Sequence, residues 1–260
     1  MRIYFYMPMR RRSQNTKDET MKNWTSLKSL IYIGKQVACP CCSGNFRKFL
    51  PFGVKARENA LCPRCKSLER HRLLWLYLKN KTNFFSDTDN LRVLHFAPEY
   101  FFQKIFKSMP NLDYISADLS SSSAMVKMDI TNILYEDNSF DVILCCHVLE
   151  HIIDDHRALT ELFRVLRPGG WAILQSPIDL KRDKTYEDTT IVSPQERERI
   201  FGLKDHVRIY GRDYKDRLEK AGFTVKVDAY VRELGDDMIK KYCLAKDEDI
   251  YFCMKRNSRE

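Results

Sequence analysis

The stretch SFDVILCCHVLEHIIDDHRALTELFRVLRPGGWAILQSP, residues 139–177, decides the fold. Its first piece, 140–146, is apolar after Asp141 and too short for a solvent-facing helix, so it reads as a parallel strand covered on both faces. Asp154 and Asp155 stand where a helix needs its N-terminal cap, and Ala158, Leu159, Leu162, Phe163 and Leu166 then recur at helical spacing. Pro168-Gly169-Gly170 is expected to end that helix, with a second strand over 171–174. Strand, crossover helix and strand in this order make a right-handed parallel unit, the repeat of an open α/β sheet.

Reading outward, strands are expected at 91–96, 113–117, 126–130, 223–230 and 250–255, and helices at 100–108 and 214–221, the latter closed by Gly222. A chain of 260 residues holds one α/β domain plus a small module. The expected organisation is a basic, partly disordered tail over 1–36, with Met21 as a possible true start, then a cysteine module with a linking helix over 37–80. The main domain spans 88–260, with a charged insertion over 178–214, and the polar segment 79–90 forms the boundary. No run approaches the roughly 20 apolar residues of a membrane span, and the first residues lack the long apolar region of a secretory signal.

Charge is unevenly spread: residues 1–80 carry 17 Lys and Arg against 4 Asp and Glu, and residues 81–260 carry 27 against 31. The basic third suits a polyanion such as RNA, or is simply a solvated surface. Nine cysteines, four of them in two tight pairs, fit metal binding in a reducing cytoplasm better than disulfides. Cys39-Pro40-Cys41-Cys42 and Cys62-Pro63-Arg64-Cys65 are separated by 19 residues, the spacing of a four-cysteine zinc ribbon. Cys39, Cys42, Cys62 and Cys65 are the expected ligands and Cys41 the spare, though spacing alone permits Cys41 to replace Cys42. Four thiolates leave no open position for water, so such a zinc ion is structural. After the second pair, 67–78 reads as a helix, with Arg70, His71 and Arg72 expected on a solvated basic face or at a substrate mouth.

The segments FDVILCCHVLEHI and ALTELFRVLRPGGWAILQSP resemble the fourth strand, fourth helix and fifth strand of class I S-adenosylmethionine (SAM)-dependent methyltransferases of the type 11 group. The resemblance extends more weakly from 91 to 256 and implies a Rossmann-like seven-stranded sheet whose last strand is antiparallel. It also implies SAM as cofactor. The family's glycine-rich loop after the first strand is replaced by Ala97-Pro98-Glu99, a departure that restricts backbone approach, although Glu99 can partner the cofactor's ammonium. His95 stands where the family often carries an acid and equally suits a satisfied core position. Asp118, with Leu119 beside it, closes the second strand, where a carboxylate can accept both ribose hydroxyls. By resemblance Asp129 and Ile130 lie at the adenine, with capping the alternative for Asp129, and Cys146 and His147 lie beside the methionine moiety; Cys145 reads as core.

The insertion 178–214 follows the fifth strand, where the family builds its acceptor pocket. Tyr186, Arg208 and Tyr210 are expected to bind the acceptor, with Glu187, Asp188 and Asp213 nearby, Asp213 equally placed to cap the next helix. His206 is the first choice of general base, and His147 and His151 follow. The leading expectation is methyl transfer to an oxygen or nitrogen of a small-molecule or glycan-precursor acceptor, favoured by the acidic body and the lack of a stacking platform. An RNA methyltransferase that uses the basic ribbon, and a non-catalytic zinc-ribbon adaptor with a degenerate SAM site, are the alternatives.

Overall fold

Two short antiparallel ladders carry the paired cysteines in the computed structural model, which describes residues 31–257. The expected tail over 1–36 falls mostly outside that range. β1 (Ile33–Cys39) pairs with β2 (Gly44–Phe46), and β3 (Leu50–Phe52) pairs with β4 (Arg57–Leu61). Ladders this short cannot hold themselves in water. Phe46, Phe49 and Ala60 form a small buried centre for them, and helix α1 (Glu69–Lys81) follows.

The chain divides into two units, Met1–Trp75 with Asp236–Ala245 and Leu76–Gly235 with Lys246–Glu260. The division falls inside α1, upstream of the polar segment read as a boundary, and the first unit takes a late segment that sequence had assigned to the main domain. Within this first unit the side chain of Arg72 is fully buried, which corrects the expectation of a solvated face. Its Nε donates to the Tyr242 carbonyl (2.7 Å), Nη1 to those of Ala60 and Ser67 (2.9 Å each), and Nη2 to those of Asn59 (3.3 Å) and Cys243 (2.9 Å). All five guanidinium N–H groups are thereby engaged, and the plane lies 4.3 Å from the centre of the Phe49 ring. His71 is buried too, and its Nδ1 accepts from the Leu68 amide at 3.1 Å.

The second unit is built on a seven-stranded sheet. In chain order it contains β5 (Leu91–Phe96), α2 (Tyr100–Phe106), β6 (Leu112–Asp118), β7 (Val126–Lys127), β8 (Phe140–Cys146), α3 (Asp155–Val165) and β9 (Leu166–Gln175). There follow β10 (Tyr186–Glu187), α4 (Pro194–Phe201), β11 (Arg208–Ile209), α5 (Tyr214–Lys220), β12 (Thr224–Asp228), α6 (Tyr230–Glu233), α7 (Gly235–Tyr242) and β13 (Ile250–Met254), with most of α7 belonging to the first unit. The sheet order is β12-β13-β9-β8-β5-β6-β7; all neighbours from β9 to β7 are parallel, and β13 runs antiparallel to both β9 and β12. The α/β fold read from sequence, with its antiparallel last strand, is therefore the one observed.

The apolar run of β8 is buried along its length except at Asp141, as a strand covered on both faces requires. Leu159, Leu162 and Val165 of α3 join Ile143, Cys145, Ala172 and Leu174 in one core cluster, so Cys145 is core as read. Asp154 caps α3 by accepting the Arg157 amide at 2.9 Å. The helix ends at Val165, earlier than Pro168-Gly169-Gly170 suggested: Leu166 is already extended, and Arg167, the residue before proline, is steered out of helical geometry. Gly170 is needed at close quarters: a Cβ there would fall 2.8 Å from the Asp141 carbonyl oxygen. Two other expectations shorten: the third strand is only Val126–Lys127, and Tyr230 opens a helix instead of ending a strand.

Candidate active site and cysteine cluster

The parallel strands reverse their order between β5 and β8, and ligands of open α/β sheets bind outside the carboxyl ends at such a point. Both strands leave the sheet through a left-handed residue that is not glycine, Ala97 (φ 46°) and His147 (φ 56°). The Ala97 amide still donates to the Ala117 carbonyl at 2.8 Å, and the His147 amide to that of Gln175 at 2.8 Å, so neighbouring strands hold both turns. Ala97 thus keeps a backbone conformation that glycine adopts freely, at a cost of about 1 kcal/mol. Ala97→Gly is expected to raise stability by up to about 1 kcal/mol, and Ala97→Val to lower it by about 2 kcal/mol, read from urea midpoints.

Around this mouth the cofactor candidates separate. His95 is wholly buried, with Nδ1 3.0 Å from the Tyr114 hydroxyl and Nε2 3.3 Å from Glu99 Oε2. It thus stands in the core beside Glu99, the core position that sequence allowed for it. Asp118 Oδ1 accepts the amides of Ser120 (2.7 Å) and Ser121 (2.6 Å), a turn cap that leaves Oδ2 without a hydrogen bond among the described residues. Leu119 next to it is exposed. Asp129 Oδ1 accepts both the amide and hydroxyl of Thr131 at 2.8 Å, so it closes a local turn, while the Ile130 side chain is buried in the apolar core. Cys146 ends β8, largely buried. Sequence reasoning missed Gln103, which ties α2 to β6 through the Ser116 hydroxyl (2.7 Å) and to the loop after it through the Ser123 carbonyl (2.8 Å).

The insertion folds back onto the turn that follows β8. Val207 donates to the Glu150 carbonyl at 2.9 Å, and β10 and β11 pair as a small hairpin. Arg208 is buried; it donates to the carbonyls of Leu149 (2.8 Å), Ile152 and Ile153 (2.9 Å) and to Glu187 Oε2 (3.0 Å). The Tyr210 hydroxyl is buried and donates to Asp155 Oδ2 at 2.7 Å. Both side chains are bonded inside the protein and brace the insertion, where sequence expected them to face an acceptor. Tyr186 remains exposed, 5.9 Å from the Phe201 ring. Asp213 does not cap α5; its Oδ1 accepts the Thr185 amide (2.7 Å) and hydroxyl (2.8 Å). Asp188 likewise caps a turn at Thr190.

The three candidate histidines gather around Glu150, which sequence reasoning quoted without giving it a role. Glu150 is 2% exposed, with Oε1 3.3 Å from His147 Nδ1 and Oε2 accepting the Ser176 hydroxyl at 3.1 Å. Burial pushes its carboxyl up, but the hydrogen bond to His147 and the nearby imidazoles hold it below the usual carboxylate range. The rings of His151 and His206 meet edge to face, 4.7 Å between centres. Burial, and then His151, keep the His206 imidazole below its ordinary value. A carboxylate flanked by histidines three residues before and one after was the available signal.

In the first unit Cys39, Cys42, Cys62 and Cys65 have their sulfurs within 4.8 Å of one another. Cys39 and Cys65 are 3.5 Å apart and Cys42 and Cys62 3.8 Å, against about 3.8 Å for thiolates around a tetrahedral ion with 2.3 Å bonds. The cluster is compatible with a zinc ribbon. Cys41 points away, its sulfur donating to the His71 carbonyl at 3.8 Å, and burial pushes its thiol up.

Residues 106–174, from the end of α2 through β9, match the family model of the methyltransferase domain. Solved structures similar to the chain include the YcgJ protein of Bacillus subtilis (15% identity, 72% of this chain and 100% of that one, TM-score 0.46) and a SAM-dependent methyltransferase of Mesorhizobium loti (15%, 69% and 96%, TM-score 0.45). A third, the 1,6-didemethyltoxoflavin-N1-methyltransferase of Burkholderia thailandensis, is 12% identical over 65% of this chain and 72% of that one, with a TM-score of 0.44. No curated protein matches the chain by sequence. Among the described residues no helix of the methyltransferase domain or of the cysteine unit is long and apolar enough to cross a membrane.

Proposed function

We propose that the protein is a SAM-dependent methyltransferase that transfers a methyl group to an oxygen or nitrogen of a small-molecule or glycan-precursor acceptor, with a structural zinc ion on Cys39, Cys42, Cys62 and Cys65. What supports this reading is that two groups of residues follow the carboxyl ends of neighbouring parallel strands: Glu99 after β5 and Asp118 at the end of β6, and His147, Glu150 and His151 after β8, with His206 brought beside Glu150 and His151. The first group has the chemistry of a cofactor cradle. Asp118 Oδ2 is left to accept ribose hydroxyls, and Glu99, its second oxygen held beside His95, offers a negative partner to an ammonium. SAM supplies an electrophilic methyl on a sulfonium.

Methyl transfer is an in-line displacement, so the second group contributes chiefly alignment and removal of a proton from the acceptor. While its lone pair is free, His206, whose imidazole burial keeps below its ordinary range, suits that proton, and Tyr186 offers an exposed ring in the insertion. The test is calorimetry with SAM. The zinc-loaded protein should bind it, and Asp118→Asn should weaken binding at least tenfold with the fold unchanged by circular dichroism. Absence of SAM binding by folded protein leaves the adaptor reading. Labelled SAM incubated with extract fractions should then mark small molecules; label in RNA instead would assign the basic module to RNA.

A further inference from the structure

We infer that Glu150, His151 and His206 form a second metal site, one for a divalent transition cation at the acceptor side of the mouth, distinct from the four-cysteine cluster. Their ligating atoms lie within 4.8 Å of one another. Small side-chain rotations bring them to the roughly 3.3 Å spacing of nitrogen and oxygen ligands 2.0–2.1 Å from a tetrahedral ion. Two imidazoles and a carboxylate suit zinc, cobalt, manganese or iron, and they occupy three positions, leaving the rest for water or an acceptor oxygen.

Three features give this cluster the organisation of a built site. Glu150 is a carboxylate removed from water whose side-chain partners among the described residues are His147 and the Ser176 hydroxyl; a buried anion is costly unless a compensating positive charge stands beside it, which a cation supplies. His151 Nδ1 lies 3.2 Å from the Asp205 carbonyl oxygen, an acceptor only, so Nδ1 carries the hydrogen and Nε2 presents its lone pair. That is the arrangement in which a metal-binding imidazole is held by its outer partner. The backbone supports the same geometry, because the Val207 amide bonds the Glu150 carbonyl at 2.9 Å and fixes His206, its neighbour in the chain, against the Glu150 turn. Asp205 Oδ2, 3.5 Å from His151 Nδ1, adds negative charge at the open side.

Cobalt separates this site from the cysteines. In full-length protein loaded with one zinc ion, the thiolates retain the softer-bound zinc, and added Co2+ reports any open nitrogen and oxygen site through its visible ligand-field absorption; leakage into the cysteine cluster would show as thiolate charge transfer. The expected result is one further equivalent of Co2+ bound without a thiolate band, and binding at least tenfold weaker in both His151→Ala and His206→Ala. Each variant should keep the parent circular dichroism and thermal midpoint. Glu150→Gln is the sharper change but sits in a buried position, so the two histidine variants carry the test. No Co2+ uptake by the zinc-loaded protein, uptake only with thiolate absorption, or equal affinity in both histidine variants would overturn the proposal. The measurement needs no SAM, so it is decided separately from methyl transfer.

Discussion

Cys62→Ser should release the metal of the cysteine unit and abolish the thiolate–cobalt absorption of a cobalt-substituted protein. The expected loss is large, because a four-thiolate ion contributes on the order of 10 kcal/mol to ordering so small a module. β1 to β4 are short ladders around a few buried side chains, and besides the sulfur cluster the two cysteine pairs are joined by the exposed Arg64 Nη1 bond to the Cys42 carbonyl at 3.4 Å. Hydrogen exchange across 33–61 should accelerate accordingly. Cys41→Ser is the internal control: its sulfur bonds the His71 carbonyl and lies outside the cluster, so the cobalt spectrum should persist. A Cys62→Ser protein with an unchanged cobalt spectrum would remove the metal reading altogether.

Arg72→Met should cost roughly 4 kcal/mol or more in unfolding free energy, because it leaves five carbonyls, those of Asn59, Ala60, Ser67, Tyr242 and Cys243, without their shared donor. The methionine side chain keeps much of the volume against Phe49, so cavity formation is a minor part of the effect. Arg72→Lys separates charge from geometry. An ammonium has three donors on a flexible stem where the guanidinium has five in a fixed fork, so lysine should recover only part of the loss. Urea midpoints of the three proteins measure the order arginine, lysine, methionine; a methionine variant within 1 kcal/mol of the parent on the scale of such losses would show that the bonds are inconsequential.

Features governed by local pattern were legible in the sequence. The apolar run of β8, the helical spacing from Ala158 and the cysteine spacing each follow from a short-range physical requirement, and the structure has the corresponding strand, helix and sulfur cluster. The failures are residues whose environment is set by distant chain. Arg72 looks solvated beside Arg70 and His71, but its partners include carbonyls 170 and 171 residues away. Arg208 and Tyr210 have the chemistry of acceptor binders, yet the insertion folds back over residues 149–155 and turns them inward. Glu150 was passed over because its meaning depends on His206, brought to it only by that same return of the chain. Ala97 is a different case. The absent glycine suggested a damaged cofactor loop, and the backbone has kept the left-handed turn without it.

The bonds of Arg72 to Tyr242 and Cys243 also impose an order on the making of the protein. Synthesised from the N-terminus, the cysteine unit emerges early, yet its buried guanidinium must wait for 170 more residues before its last acceptors exist. At about 5–20 residues per second that interval is roughly 10–35 s, during which Arg72 has three of its five carbonyls and the unit remains unfinished. A nascent chain halted anywhere within the seven-stranded sheet therefore carries an incomplete cysteine unit, and only the passage of residue 243 from the ribosome supplies the last acceptor of Arg72.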